Sequence, residues 1–157
     1  HVLFRSGVAL VAACEHALAS GAQIVNLSLG TQNIDHEPAL TGVVRTLRAG
    51  GAVVIAAGEQ DGIRWLPGSI PGVWAVRLDW TVPREALRVD HLSERGAVFR
   101  ASGYPRPIPG VPPERNLKGL SFAVANVTGI VASLMAEDPA RDAAGSVMRA
   151  FESGRLL

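Results

Sequence analysis

One cysteine in 157 residues, Cys14, excludes an internal disulfide and any metal site built on paired thiolates. A lone thiol is compatible with a reducing compartment such as the cytoplasm but assigns none, so localisation stays open. Charge is sparse: 18% of residues are Asp, Glu, Lys or Arg, and 15 basic against 14 acidic residues leave a net charge of +1. That balance argues against nucleic acid or an anionic membrane as partner. Asp35, Glu37, Asp61 and Asp79 are scattered, so there is no acidic loop of the calcium-binding kind, and no metal or other cofactor is expected. Long apolar runs are missing too. A spanning helix needs roughly 18–20 apolar residues, and the best candidates are interrupted by Glu15, His16, Gly58 or Asn126. The first residue, His1, follows no Met and opens no basic-then-apolar leader, so further sequence upstream is expected.

What is present is apolar. Hydrophobic residues make up 48% of the chain and mean hydropathy is +0.22, which suits either a sheet buried on both faces or a surface kept for a partner. A helix is expected over Val8–Ala19, stopped by Ser20-Gly21. Ile24–Leu29 reads as a buried strand ending at Gly30, followed by a polar loop over Thr31–Glu37. Pro38 suits a first helical turn, and Leu40, Val43, Val44 and Leu47 give that helix its apolar face before Gly50-Gly51. Ala52–Ala57 and Val73–Leu78 read as further strands. The order helix, strand, helix, strand, strand predicts an α/β fold with a mainly parallel sheet in a single domain. Between Asp79 and Lys118 the pattern degrades, and the Pro-rich run Tyr104–Pro113 can only be loop. A long helix is predicted from about Ser121, with Val124, Val127, Ile130, Val131, Leu134 and Met135 on its apolar side. A last helix is predicted from Pro139 to about Phe151.

Four segments in this order carry a resemblance. Ile24–Gly30 (IVNLSLG) looks like the strand "INMSLG", and Gly51–Gly62 (GAVVIAAGEQDG) like "GVVVVAAAGNEG". Pro71–Val76 is similar to the strand "YPSVIAVGAV", and Gly119–Gly129 (GLSFAVANVTG) to the helix start "GTSMASPHVAG". Together they resemble the C-terminal two-thirds of the subtilisin-like serine protease domain. The resemblance implies a three-layer α/β fold lacking its N-terminal strands, with Ser121 at the nucleophile position. At a helix N-terminus a serine projects into a cleft where free N–H groups and the helix dipole favour an oxyanion. It also implies that Ser28, Leu29 and Gly30, with Ala57, Gly58, Gly119 and Leu120, line a cleft that takes an extended peptide by strand addition.

The departures from that family bear on catalysis. Glu59 stands where the family has an oxyanion-hole asparagine. An ionised carboxylate cannot donate, and losing that donor costs subtilisin itself about 10²- to 10³-fold in rate. Gln60 next to it could donate only if the loop shifted by one residue. The family's Asp and His segments are absent, and His1, His16, His36 and His91 all stand in other contexts. Without a general base a serine hydroxyl is a poor nucleophile. Ser-Pro-His is replaced by Val124-Ala125-Asn126, and only Ala101-Ser102-Gly103 could stand in for the Ala-Pro-Gly turn. The expectation is a degenerate, non-catalytic domain that binds peptide or protein. The alternative is an active serine endopeptidase whose Asp and His come from an upstream segment or a partner chain. A third reading, a nucleotide-binding α/β domain using Gly58–Gly62, is disfavoured, because its glycines do not follow the dinucleotide fingerprint and no phosphate-loop lysine is present. The missing strands imply an open sheet edge, to be covered by a second copy or by an N-terminal segment.

Overall fold

The computed structural model describes residues 6–93 and 95–157. The first helix, α1, spans Ser6–Ala19, and strand β1 follows over Ile24–Leu27. Helix α2 covers Glu37–Ala49, strand β2 Val53–Ala57 and strand β3 Trp74–Leu78. Strands β4 (Leu87–Ser93) and β5 (Gly96–Ala101) precede the long helix α3 (Leu120–Glu137) and the closing helix α4 (Ala143–Glu152). The five strands form one sheet in the order β1-β2-β3-β5-β4. All neighbours are parallel except β4 and β5, which make an antiparallel hairpin.

Three layers result. Alternation along each strand sends one set of side chains to each face. Ile55, Ala57, Trp74, Val76, Ala97, Phe99 and Ala101 pack against Ala123, Val124, Val127, Val131 and Leu134 of α3 and Val147 and Ala150 of α4. Val25, Leu27, Val54 and Ala56 point the other way, onto Leu40, Val43, Val44 and Leu47 of α2 and Leu10 and Cys14 of α1. Each Val or Leu so buried contributes about 1.5–3 kcal/mol. Cys14 is fully enclosed, and burial foremost, with Glu15 beside it, pushes its thiol pKa up. It serves as a small core residue.

Several expectations are corrected. The hairpin β4–β5 lies inside the stretch read as irregular, and the loop Thr31–Glu37 contains a 3-10 turn at Ile34–His36. The last helix begins at Ala143, because Asp142 Oδ1 accepts from Gly145 N at 2.7 Å and caps it there. Strand β1 stops at Leu27, leaving Ser28-Leu29-Gly30 beyond the ladder. The expectation that nothing is long and apolar enough to cross a membrane also fails for α3. Its 18 residues have mean hydropathy 1.5, which meets the requirement by length and composition. Here α3 is the core helix, packed on β1, β2, β3 and β5. His1 lies outside the described residues.

Candidate functional site

In open α/β sheets the carboxyl ends of the strands are where loops can gather side chains into a cleft. At that end the chain leaving β1 meets the first turn of α3. Ser28 Oγ donates to the Ser121 carbonyl at 3.0 Å and lies 3.3 Å from Asn26 Oδ1. Thr128 Oγ1, one turn or more further along α3, lies 3.2 Å from the same Asn26 oxygen and donates to the Val124 carbonyl at 2.8 Å. A polar side chain of β1 and one just beyond its end are thereby stitched to one helix, 102 and 93 residues away in sequence. Ser121 itself is exposed, whereas Gly119 and Leu120 are half-buried.

Gly119 sets where α3 begins. Its φ of 151° favours glycine, and its carbonyl accepts from Phe122 N at 3.0 Å. Its own N–H donates to the Gly103 carbonyl at 2.9 Å. Asn126 Nδ2 donates to the carbonyls of Ser102 (2.9 Å) and Tyr104 (3.0 Å), so the turn after β5 is clamped to α3. Ser102, Gly103 and Tyr104 are thus each hydrogen-bonded through their carbonyls to Gly119 or Asn126. Sequence reasoning read Asn126 only as a loss, although an amide donor one turn into a helix is the signal that a neighbouring loop needs carbonyl partners.

The strip Ser28–Gly30 has a wall that the sequence did not mark. Thr31 and Leu66 exchange backbone hydrogen bonds at 3.0 and 2.9 Å, which brings Trp65 against Gly30. A Cβ at Gly30 would stand 2.8 Å from the Leu66 carbonyl oxygen, so only glycine fits there. Arg64 grips Glu37 through both guanidinium nitrogens, at 2.6 and 3.3 Å, and ties this loop to the start of α2. Leu29 is 45% exposed, a large apolar side chain left in solvent beside the strip.

Ala57 and Gly58 are both buried. Ala57 belongs to the core, and Gly58 N donates to the Val76 carbonyl at 2.8 Å. Gly68 crosses directly over them: a Cβ on it would overlap the Ala57 carbonyl. Glu59 is exposed and lines a cavity together with Ala75 and Arg77 of β3 and Val98 of β5. Gln60 is already engaged, since its Oε1 accepts from Leu78 N at 3.0 Å and its Nε2 donates to Asp61 at 3.1 Å. The described histidines lie on α1 (His16), the 3-10 turn (His36) and β4 (His91), and none is hydrogen-bonded to Ser121. Among the described residues no group of three His, Cys, Asp or Glu side chains could hold a metal ion.

Neither a family model nor a curated protein sequence matches the chain. Solved structures do. The PatG macrocyclase in complex with peptide aligns over 85% of this chain with TM-score 0.58 and 22% identity. The patellamide maturation protease PatG aligns over 82% with TM-score 0.53 and 21% identity. The chain spans 42% and 40% of those two chains. The fold is thus the three-layer subtilisin-like α/β architecture expected from the four motifs.

Proposed function

We propose that this chain is a subtilisin-like domain that binds an extended peptide without hydrolysing it. The observation that carries the reading is the Ser28 Oγ to Ser121 carbonyl hydrogen bond of 3.0 Å. It sets the strip Ser28–Gly30, with Leu29 exposed between two half-buried neighbours, beside the helix start Gly119–Ser121. A peptide laid along the strip gains main-chain hydrogen bonds, and Leu29 and Trp65 offer apolar contact for its side chains. Peptide in the PatG macrocyclase complex supports this use of the fold. Ser121 and Glu59 are the positions that would act in catalysis, and both lack what catalysis needs: a base for the hydroxyl and a donor for the oxyanion.

A second reading rests on the exposure of Ser121 at the start of α3: a serine endopeptidase completed by an Asp and a His from an upstream segment or partner chain. The same partner, or a second copy, would cover the free edge of β1.

Titration of the chain with short unstructured peptides, followed by isothermal calorimetry and by mass spectrometry of the peptide, separates the readings. The expected result is saturable binding with the peptide left intact, kept in Ser121→Ala and weakened about fivefold or more in Leu29→Asp, the loss of one well-packed apolar contact. Cleavage that disappears in Ser121→Ala would establish the endopeptidase. Absence of binding across the panel would remove the peptide cleft.

A further inference from the structure

Helices α1 and α2 cover only the β1–β2 half of their face of the sheet. Over β3 and β5 no helix of the described residues covers that face, and the side chains there are Ala75, Arg77, Val98 and Arg100, alternating with the core residues Trp74, Val76, Phe99 and Ala101. A central strand in such a sheet normally presents apolar side chains on both faces, so Arg77 on β3 calls for an explanation. Its side chain lines a cavity of about 330 Å³ with Glu59, His91, Ser93 and Arg95, a volume at the small end of the range for ligand pockets.

Arg77 Nε is buried and has no hydrogen-bond acceptor among the described residues. A buried donor without a partner is costly, and in a native fold it marks a place where an acceptor belongs. Arg95, exposed on the hairpin turn, adds a second guanidinium to the same cavity. Arg48 of α2 rests its guanidinium on the bare backbone of Gly72, a residue that lines the cavity: a Cβ there would meet its Nη1 at 2.5 Å. Guanidinium groups are planar forks matched to carboxylate and phosphate oxygens. Among the described residues lining the cavity the carboxylate is Glu59, and it has no positive partner within ion-pair distance among them.

We propose that this cavity is a binding site for a small anion bearing a carboxylate or phosphate group, held by Arg77 and Arg95, with Glu59 as an opposing charge that limits its affinity. The proposal does not depend on the peptide reading, although Glu59 belongs to both. Its two charge signs give the experiment opposite arms. Thermal unfolding and calorimetry are run on the chain with inorganic phosphate and with succinate, ionic strength being held constant with sodium chloride. Phosphate or succinate should bind saturably and raise Tm beyond the chloride control, and the stronger of the two identifies the group. Arg95→Gln, on an exposed turn, should weaken the apparent Kd about fivefold, while Glu59→Gln should tighten it about twofold or more by removing the like charge. Arg77→Met should abolish the response; if that variant fails to fold, the Arg95 and Glu59 variants decide alone. A Tm rise matched by chloride, or Arg95→Gln and Glu59→Gln both titrating like the parent, would overturn the proposal.

Discussion

Ser121 shows how much one residue's neighbours decide. Its position at the start of α3 gives it exposure and a helix dipole, yet the hydroxyl stays protonated unless a base takes its proton. His16, His36 and His91 make no hydrogen bond to it, and His91 Nε2 instead sits 3.2 Å from Ser93 Oγ. A fluorophosphonate probe is therefore expected to leave Ser121 unlabelled in this chain, with Ser121→Ala giving the same background by mass spectrometry. Stoichiometric labelling lost in Ser121→Ala would mean that a base had been overlooked. The resemblance put Ser121 and Glu59 forward as site positions, but it did not foresee that Gln60 spends its amide on Leu78 and Asp61. Nor did it foresee that Arg77 buries its Nε, because a lone arginine in an apolar strand carries no periodic signal.

The elements legible in the sequence were those whose pattern repeats. Helix α2 shows its four buried residues at helical spacing, and β2 is apolar end to end. The hairpin β4–β5 escaped for physical reasons. Strand β4 is an edge, and its Arg88, Asp90 and His91 are exposed, the charged composition by which edges resist unwanted pairing. Strand β5 buries small residues, Ala97 and Ala101, around the single large Phe99, too weak an alternation to stand out between glycines and arginines. The turn after β5 was equally opaque, since its geometry is supplied from α3 by Asn126. Replacing that residue tests the clamp. Asn126→Ala leaves two carbonyls without their donor and should lower unfolding stability by about 2 kcal/mol. Asn126→Asp should cost at least as much, because a carboxylate would face two carbonyl oxygens. Urea denaturation of both variants measures this, and an Asp variant as stable as the parent would show that the side chain does not donate there.

At the scale of the whole molecule the two edges of the sheet differ. The β4 edge is closed by the chain itself: Val89 N donates to the Leu157 carbonyl at 2.8 Å, and Leu157 N to the Leu87 carbonyl at 3.1 Å. Strand β1 pairs with β2 on one side, and on its other side the described residues supply no strand. Ile24–Leu27 thus presents unpaired N–H and C=O groups at the margin of an otherwise parallel sheet, and parallel strands are stable only when covered. The two hydrophobic clusters reach this margin through Ile24 on one face and Val25 and Leu27 on the other. A strand from another polypeptide would complete the ladder and extend both layers at once. Sedimentation velocity at micromolar concentration should accordingly show self-association. Val25→Pro should reduce it, by removing an N–H and bending the edge, and circular dichroism checks that the variant keeps its fold. A chain that sediments as a monomer and unfolds cooperatively would mean that residues of this chain itself, before Ile24 or in the proline loop, cover the β1 edge.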